Sequence, residues 1–284
     1  MKILITGGTG QFGKAFGELT ATADVQIFSF GARELDVTDT RQLRTSFNLI
    51  RPDVVIHAGA FTAVDAAESQ ADAVFKVNVI GTRNVAAACL HYGCELIYIS
   101  TDYVFDGKSS RPYTEFDQPN PLNIYGRSKL EGEIIAARIC PRLYIVRTSW
   151  LYGLGHNFVR TVLKLAKERE YLTIVNDQTG SPTNSLDLAQ GIMTLLNTWS
   201  YGTYHMSNNG QCTWYEFARE IVRLTGQSID VRPISTADLA LPAARPVYSV
   251  LRNYMLELAG GDYFRPWQEG LQAYIDNMKD GLCG

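Results

Sequence analysis

Lys2-Ile3-Leu4-Ile5-Thr6-Gly7-Gly8-Thr9-Gly10-Gln11-Phe12-Gly13 is the stretch on which the reading of this chain turns. Residues 2–6 form a short apolar run that ends at glycine, the pattern of a buried strand, and residues 12–20 continue with helical spacing. Gly7, Gly10 and Gly13 fall at and just beyond the junction. Spaced glycines alone are a weak signal, but a strand before them and a helix after give each one a task. One permits the tight turn, another lets the backbone approach a pyrophosphate, and the third lets helix pack closely on strand. The start of the helix adds free N–H groups and a dipole that favours phosphate.

Outward from this turn, residues 25–30, 53–57 (DVVIH), 95–100 (ELIYIS) and 143–148 (LYIVRT) read as further strands, and 40–50, 71–92 and 128–138 as helices. Strands alternating with helices of this length predict a parallel sheet wound on both faces, an α/β fold of the Rossmann type. The regularity weakens after about residue 150. Gly153 and Gly155 mark where the chain first leaves the sheet. Residues 1–150 are expected to form a dinucleotide-binding domain, with 185–207 returning to it through a helix over 185–198. Residues 151–184 and 208–284 are expected to form a smaller, interleaved lobe.

Of the 284 residues, 46% are hydrophobic and 19% charged, with Lys+Arg 26 against Asp+Glu 29. That is an ordinary globular composition. A formal charge of −3 leaves no basic footprint for nucleic acid. No apolar run approaches the roughly 18 residues of a membrane span, and Lys2 passes into the glycine turn without the apolar stretch of a signal peptide. A cytoplasmic protein with neither nucleic-acid nor membrane partners is expected. Cys89, Cys94, Cys140, Cys212 and Cys283 form no C-x-x-C pair, and His57, His91, His156 and His205 are scattered. Reduced thiols and no metal site are expected.

The second strand runs into Phe30-Gly31-Ala32-Arg33, where an NAD-specific turn would carry an acid for the adenosine ribose. Without that acid, Arg33 is placed to meet a 2′-phosphate, so NADPH is expected, with NADH use left open. Asp36 follows, and reads either as a neighbour of the adenine or as a turn or cap aspartate. Tyr125-Gly126-Arg127-Ser128-Lys129 sets a tyrosine and a lysine four apart, on one face of a helix. A phenol of ordinary pKa, about 10, is a poor acid at neutral pH. A nearby ammonium stabilises the phenolate, so the pair can protonate a carbonyl oxygen as hydride arrives. Thr101 follows the strand over 95–100, where ligands of parallel sheets meet protein groups, with Ser100 beside it in a structural role.

These pieces belong to a longer pattern. Phe61-Thr62-Ala63-Val64-Asp65-Ala66-Ala67-Glu68, residues 100–107, Arg147-Thr148-Ser149-Trp150, residues 176–183 and Ala244-Arg245-Pro246 join the glycine turn and the tyrosine segment. In that order, over almost the whole chain, the sequence resembles the extended short-chain dehydrogenase/reductases and, within them, the dTDP-4-dehydrorhamnose reductases. The resemblance implies NADPH-dependent reduction of dTDP-4-dehydro-β-L-rhamnose to dTDP-β-L-rhamnose, a step of nucleotide-sugar synthesis for surface polysaccharide. It implies Thr101, Tyr125 and Lys129 as the catalytic set. Gly10, Gln11, Phe12, Asp36, Val37, Ala58, Gly59, Ala60 and Thr62, with Tyr125 and Lys129, would contact the cofactor. Asn78 would support the lysine through water. Thr101, Asp102 and Trp150 would touch the nucleotide-sugar, with Arg245 toward its diphosphate.

Two other readings stay open. Related 4,6-dehydratases typically carry Thr-Asp-Glu at the catalytic threonine; Tyr103 in the third place argues against elimination and leaves an epimerase. A cofactor-binding regulatory subunit is the non-catalytic alternative, against which the intact Thr101, Tyr125 and Lys129 weigh. Some relatives dimerise through glutamates that hold magnesium. The matching positions here are Ala15 and the segment Asn184-Ser185-Leu186, and magnesium requires oxygen ligands, usually carboxylates. A monomer that needs no metal is expected.

Overall fold

Ile3 and Ile5 face one side of the first strand and Leu4 the other, and the same two-residue alternation recurs in the third, fourth and fifth strands. In the computed structural model, which describes residues 1–19, 24–196 and 198–279, these strands are β1 (Lys2–Thr6), β2 (Gln26–Phe30), β3 (Val54–His57), β4 (Glu95–Thr101) and β5 (Leu143–Thr148). A further strand, Gly202–His205, joins the edge of β5, and the spatial order is Gly202–His205, β5, β4, β3, β1, β2. Every pairing in this sheet is parallel.

Helices cover both faces. On one, α1 (Gln11–Glu18) and Ser185–Leu195 bury Phe12, Phe16, Leu188 and Ile192 against Ile3, Ile5 and Val146. On the other, α2 (Thr40–Ile50), Thr82–Tyr92 and Ile124–Ile139 bury Phe47, Val85 and Ala136 against Leu4, Val55 and Tyr98. The fold is a doubly wound Rossmann-type sheet. Its direction of growth reverses between β1 and β3, so the crevice outside their carboxyl ends is where such a sheet takes a ligand.

Three helices depart most from the expected limits. The helix carrying Tyr125 starts at Ile124, four residues before the expected 128, because Asn123 caps it by accepting the Gly126 N–H at 2.7 Å. The long helix over 71–92 is three pieces: Ala71–Phe75, a π-helical turn at Lys76–Gly81, and Thr82–Tyr92. Such turns recur at functional sites, and this one carries Asn78. The helix expected over 185–198 ends at Leu195, and position 20 of the first helix lies outside the described residues.

Beyond β5 a third apolar core gathers Tyr152 of the short strand Leu151–Tyr152 with Val159, Leu172, Phe217, Trp267 and Tyr274 from the helices Phe158–Glu168, Trp214–Thr225 and Trp267–Lys279 and the strand Tyr171–Val175. That strand pairs in parallel with Asp230–Ile234. Leu256 and Phe264, although late in the chain, pack into the core under the main sheet. No helix among the described residues is long and apolar enough to cross a membrane. Cys89, Cys94, Cys140 and Cys212 are buried free thiols, and Cys283 lies outside the described residues.

Candidate active site at the carboxyl ends of the strands

Gly7 ends β1 with φ 74°, and a Cβ there would stand 2.6 Å from the Gly59 nitrogen and 2.7 Å from the Ala58 carbonyl carbon. At Gly13 a Cβ would stand 2.5 Å from the Gly8 Cα. Both positions require glycine, and the strand ends and α1 thereby close on one another. α1 starts at Gly10 without a side-chain cap, which leaves first-turn N–H groups to an incoming phosphate. The Gln11 Oε1 beside them is buried with no partner. These residues fit the pyrophosphate of a dinucleotide. They form one end of a cavity of about 580 Å³ that continues past Ala58, Ala60 and Thr62 to Thr101, Tyr125, Lys129 and Trp150.

Below the cradle the Thr6 hydroxyl meets His57 Nδ1 at 2.6 Å, and His57 Nε2 meets the Thr82 hydroxyl at 3.0 Å. Burial drives His57 to about 3, so the ring is a neutral strut. Gly59 donates its N–H to the Thr6 hydroxyl at 3.3 Å. Asn78 accepts the Phe61 N–H at 2.7 Å and donates to the Ser128 hydroxyl at 2.9 Å. It therefore ties the turn after β3 to the tyrosine helix through the residue next to Lys129.

Tyr125 and Lys129 project from the first two turns of their helix; Lys129 is buried, and Tyr125 is half-buried where it lines the cavity. Burial pushes the Tyr125 phenol up to about 12; hydrogen bonding with Thr101 acts the other way, and the Asp102 carboxylate adds to the rise. Lys129 donates to the Ile99 carbonyl at 2.7 Å and lies 4.0 Å from the centre of the Tyr98 ring. Burial lowers it to about 7 against the opposing pull of Glu133. The expectation that this ammonium draws the phenol down is therefore corrected: its charge is spent on a backbone carbonyl and an aromatic face, and desolvation governs Tyr125. Thr101 caps the turn after β4 by accepting the Tyr103 N–H at 3.2 Å, and donates to Asp102 Oδ1 at 3.0 Å. Burial raises Asp102 to about 6, and its Oδ2 has no partner.

Trp150 lines the same cavity with φ 45°, a backbone that costs a bulky residue about 1–3 kcal/mol. Arg245 lies outside the cavity's lining. Its guanidinium holds Asp65 at 2.7 and 3.1 Å and keeps that carboxyl below its usual range. Arg33, Asp36 and Val37 sit on the loop after β2, also outside the lining. The Asp36 carboxylate accepts from the Thr38 N–H and hydroxyl, both at 2.8 Å, which is the turn alternative of its two readings. The strand end is not free of acid, as the sequence suggested. Glu34 folds back and accepts the Gly31 N–H at 2.8 Å. Among the described residues no group of three or more His, Cys, Asp or Glu side chains could hold a metal ion.

This geometry agrees with what the chain is similar to. The family model described as the RmlD substrate binding domain matches residues 1–280. A Clostridium acetobutylicum dTDP-4-dehydrorhamnose reductase structure superposes with TM-score 0.96 at 47% identity, over 98% of this chain and 100% of that one. The chain belongs to the dTDP-4-dehydrorhamnose reductase family. A Bacillus anthracis member of the family, solved in complex with NADP, gives TM-score 0.95 at 43% identity, over 97% of this chain and 99% of that one. The Bacillus subtilis spore coat polysaccharide biosynthesis protein SpsK is 39% identical over 277 residues, 96% of each chain.

Several residues at the site carried no sequence signal of their own. Asp65 stands inside a quoted motif, but its partner is 180 positions away. Trp214 lines the cavity from a helix that no motif announces. Glu133 was readable, because it follows Lys129 by four and so shares its helical face. It is buried, accepts the Ser100 hydroxyl at 2.5 Å, and binds Arg147 through Nε at 3.0 Å and Nη2 at 2.6 Å. Breaking a buried pair by removing one charge leaves the other uncompensated, so Glu133→Gln should lower unfolding free energy by about 3–5 kcal/mol. Urea titration measures this, and a loss below about 1 kcal/mol, the scale of an exposed pair, would contradict it.

Proposed function

We propose that this chain reduces the C4 ketone of dTDP-4-dehydro-β-L-rhamnose to dTDP-β-L-rhamnose with NADPH, in nucleotide-sugar synthesis for surface polysaccharide in the cytoplasm. The observation that carries the reading is the single cavity joining a glycine cradle to Thr101, Tyr125 and Lys129. NADPH when bound supplies hydride. The residues expected to hold it are Gly7, Gly10, Gln11, Phe12 and Gly13 at the diphosphate, and Ala58, Gly59, Ala60 and Thr62 along the turn after β3. Asn78 buttresses that turn. Arg33 and Val37 take the adenosine end, with Asp36 holding the turn between them, and Lys129 takes the nicotinamide ribose.

Tyr125 delivers the proton. Held at about 12 by burial, the phenol is fully protonated at neutral pH, yet it is a stronger acid than the alcohol that a sugar alkoxide becomes. Transfer to the developing alkoxide is downhill. Thr101, whose hydroxyl donates to Asp102 before the sugar binds, turns that proton to the carbonyl oxygen and orients it. The third apolar core carries Trp150 and Trp214 to the cavity as the sugar side, and residues 151–184 with 208–284 are the lobe that supplies it. Asp102 and Trp150 contact the sugar. Arg245, paired with Asp65 in the unliganded chain, is the candidate for the diphosphate in exchange for that carboxylate.

Four outcomes test this. The wild type should oxidise NADPH stoichiometrically with the 4-keto sugar, and Tyr125→Phe should lose kcat by about 10²–10⁴; retained turnover would place the proton donor elsewhere. Because Lys129 is protonated below about pH 7 and neutral above it, kcat/KM for NADPH, which reports the free enzyme, should fall as pH rises through that value; a flat profile to pH 9 would remove the ammonium's role. Arg33→Ala should narrow the preference for NADPH over NADH, and a wild type that prefers NADH would overturn the 2′-phosphate assignment. Light scattering should find a monomer whose size and turnover are the same in EDTA and in magnesium; a dimer that EDTA dissociates with loss of turnover would refute it.

A further inference from the structure

Three separate segments hold Trp150 in its left-handed backbone. Trp214 stacks on its indole with ring centroids 3.5 Å apart and planes 7° from parallel, and Phe158 backs Trp214 at 4.6 Å. Gly180 lies against the same indole, so close that a Cβ there would stand 2.4 Å from Cε2 and 2.6 Å from Nε1. The Trp150 carbonyl accepts the Thr183 N–H at 3.2 Å, and the neighbouring Ser149 hydroxyl donates to the Ser181 carbonyl at 2.6 Å. Gly180 and Trp214 are tied to each other as well. Gly180 pairs with Cys212, and Thr213 caps the helix that Trp214 begins, with Glu216 completing a capping box. Both indoles line the cavity that contains Thr101 and Tyr125.

Backbone strain persists only where its surroundings over-determine it, and it collects at ligand clamps and active sites. Here the surroundings are a stacked ring on one hand and a slot that only glycine leaves open on the other. We propose that Trp214 and Gly180 are positioning residues for the sugar nucleotide, locking Trp150 so that its indole is a fixed wall of the sugar site. The proposal rests on the reading that this cavity takes a nucleotide-sugar. A wall set before binding spares the ligand the cost of ordering a large side chain. Released from the stack, Trp150 relaxes toward an ordinary backbone and its ring leaves the position against which the sugar is aligned.

The test combines a spectroscopic signature with steady-state kinetics. Two indoles stacked this closely couple, so far-ultraviolet circular dichroism of the wild type should show an exciton couplet that Trp214→Leu and Trp150→Leu abolish. Misplacing a reactant by about an ångström costs up to about a hundredfold, so Trp214→Leu and Gly180→Ala should raise KM for dTDP-4-dehydro-β-L-rhamnose at least about tenfold. The KM for NADPH should stay within about twofold, as expected when only one ligand's binding is lost. Trp214→Phe, which keeps an aromatic face, should restore most of the sugar KM. A Trp214→Leu protein that loses the couplet and keeps the wild-type sugar KM overturns the proposal, as does one whose two KM values rise together. If the wild type does not turn over the sugar at all, the functional reading falls and the clamp with it; if it does and the variant is unaffected, only the clamp falls.

Discussion

Where β1 and β3 end side by side, Gly7 comes so near the backbone at Ala58 and Gly59 that no side chain fits between them. The rest of the site follows from that approach. With no Cβ in the way, the crevice floor is main chain, and main-chain N–H groups are the donors a diphosphate needs. The same approach aligns Thr6 with His57 in the sheet register. His57 then reaches Thr82 at the start of the next helix, and burial keeps the ring neutral. A charged histidine there would face Lys129 across the strand ends. The cradle thus rests on a neutral strut, with main chain as its floor at Gly7.

Desolvation sets the chemistry above that floor. Lys129 and Asp102 are withdrawn from water and Tyr125 is half-buried, and in each case burial is the largest influence on the proton. It moves the acids up and the base down, so all three groups move toward their neutral forms. Glu133 opposes the trend at Lys129, and Arg147 in turn binds Glu133. The result is a chain of buried charges from β5 through the tyrosine helix to the site, in which each charge is made tolerable by the next. A pair of this kind contributes little net stability. Its effect is to hold the lysine's midpoint near 7, above where burial alone would take it.

The cofactor side of this arrangement was legible because its determinants are local. A five-residue strand, three glycines and a helix start lie within thirteen positions, and Tyr125 and Lys129 are one helical turn apart. The sheet followed from the same alternation of apolar runs that the strands show in space. What the sequence understated has identifiable causes. The Asn123 cap lengthens the tyrosine helix toward its N-terminus beyond what apolar spacing marks. The π-helical turn at Lys76–Gly81 leaves the apolar pattern of a long helix nearly unchanged. The Glu34 carboxylate reaches Gly31 by folding back, so reading the strand end residue by residue missed an acid. The expected depression of Tyr125 failed because a spacing of four fixes which face a side chain shares, but not what its tip binds.

The segment around Arg245 is built differently. Asp65 and Arg245 meet from opposite ends of the chain, Asn123 donates to the Ala244 carbonyl at 2.8 Å, and Gly107 lies against Pro246 so closely that a Cβ would stand 2.7 Å from its Cα. Each contact crosses more than a hundred positions and obeys no period, so no window of sequence contains it. Asp65 is more than a third exposed, and a pair in that setting is worth at most about 1 kcal/mol. Its contribution is geometric: it fastens the segment from Ala243 onward over the mouth of the tyrosine helix. The cradle is thus made by one local turn, whereas these contacts are ones that only the folded chain brings together.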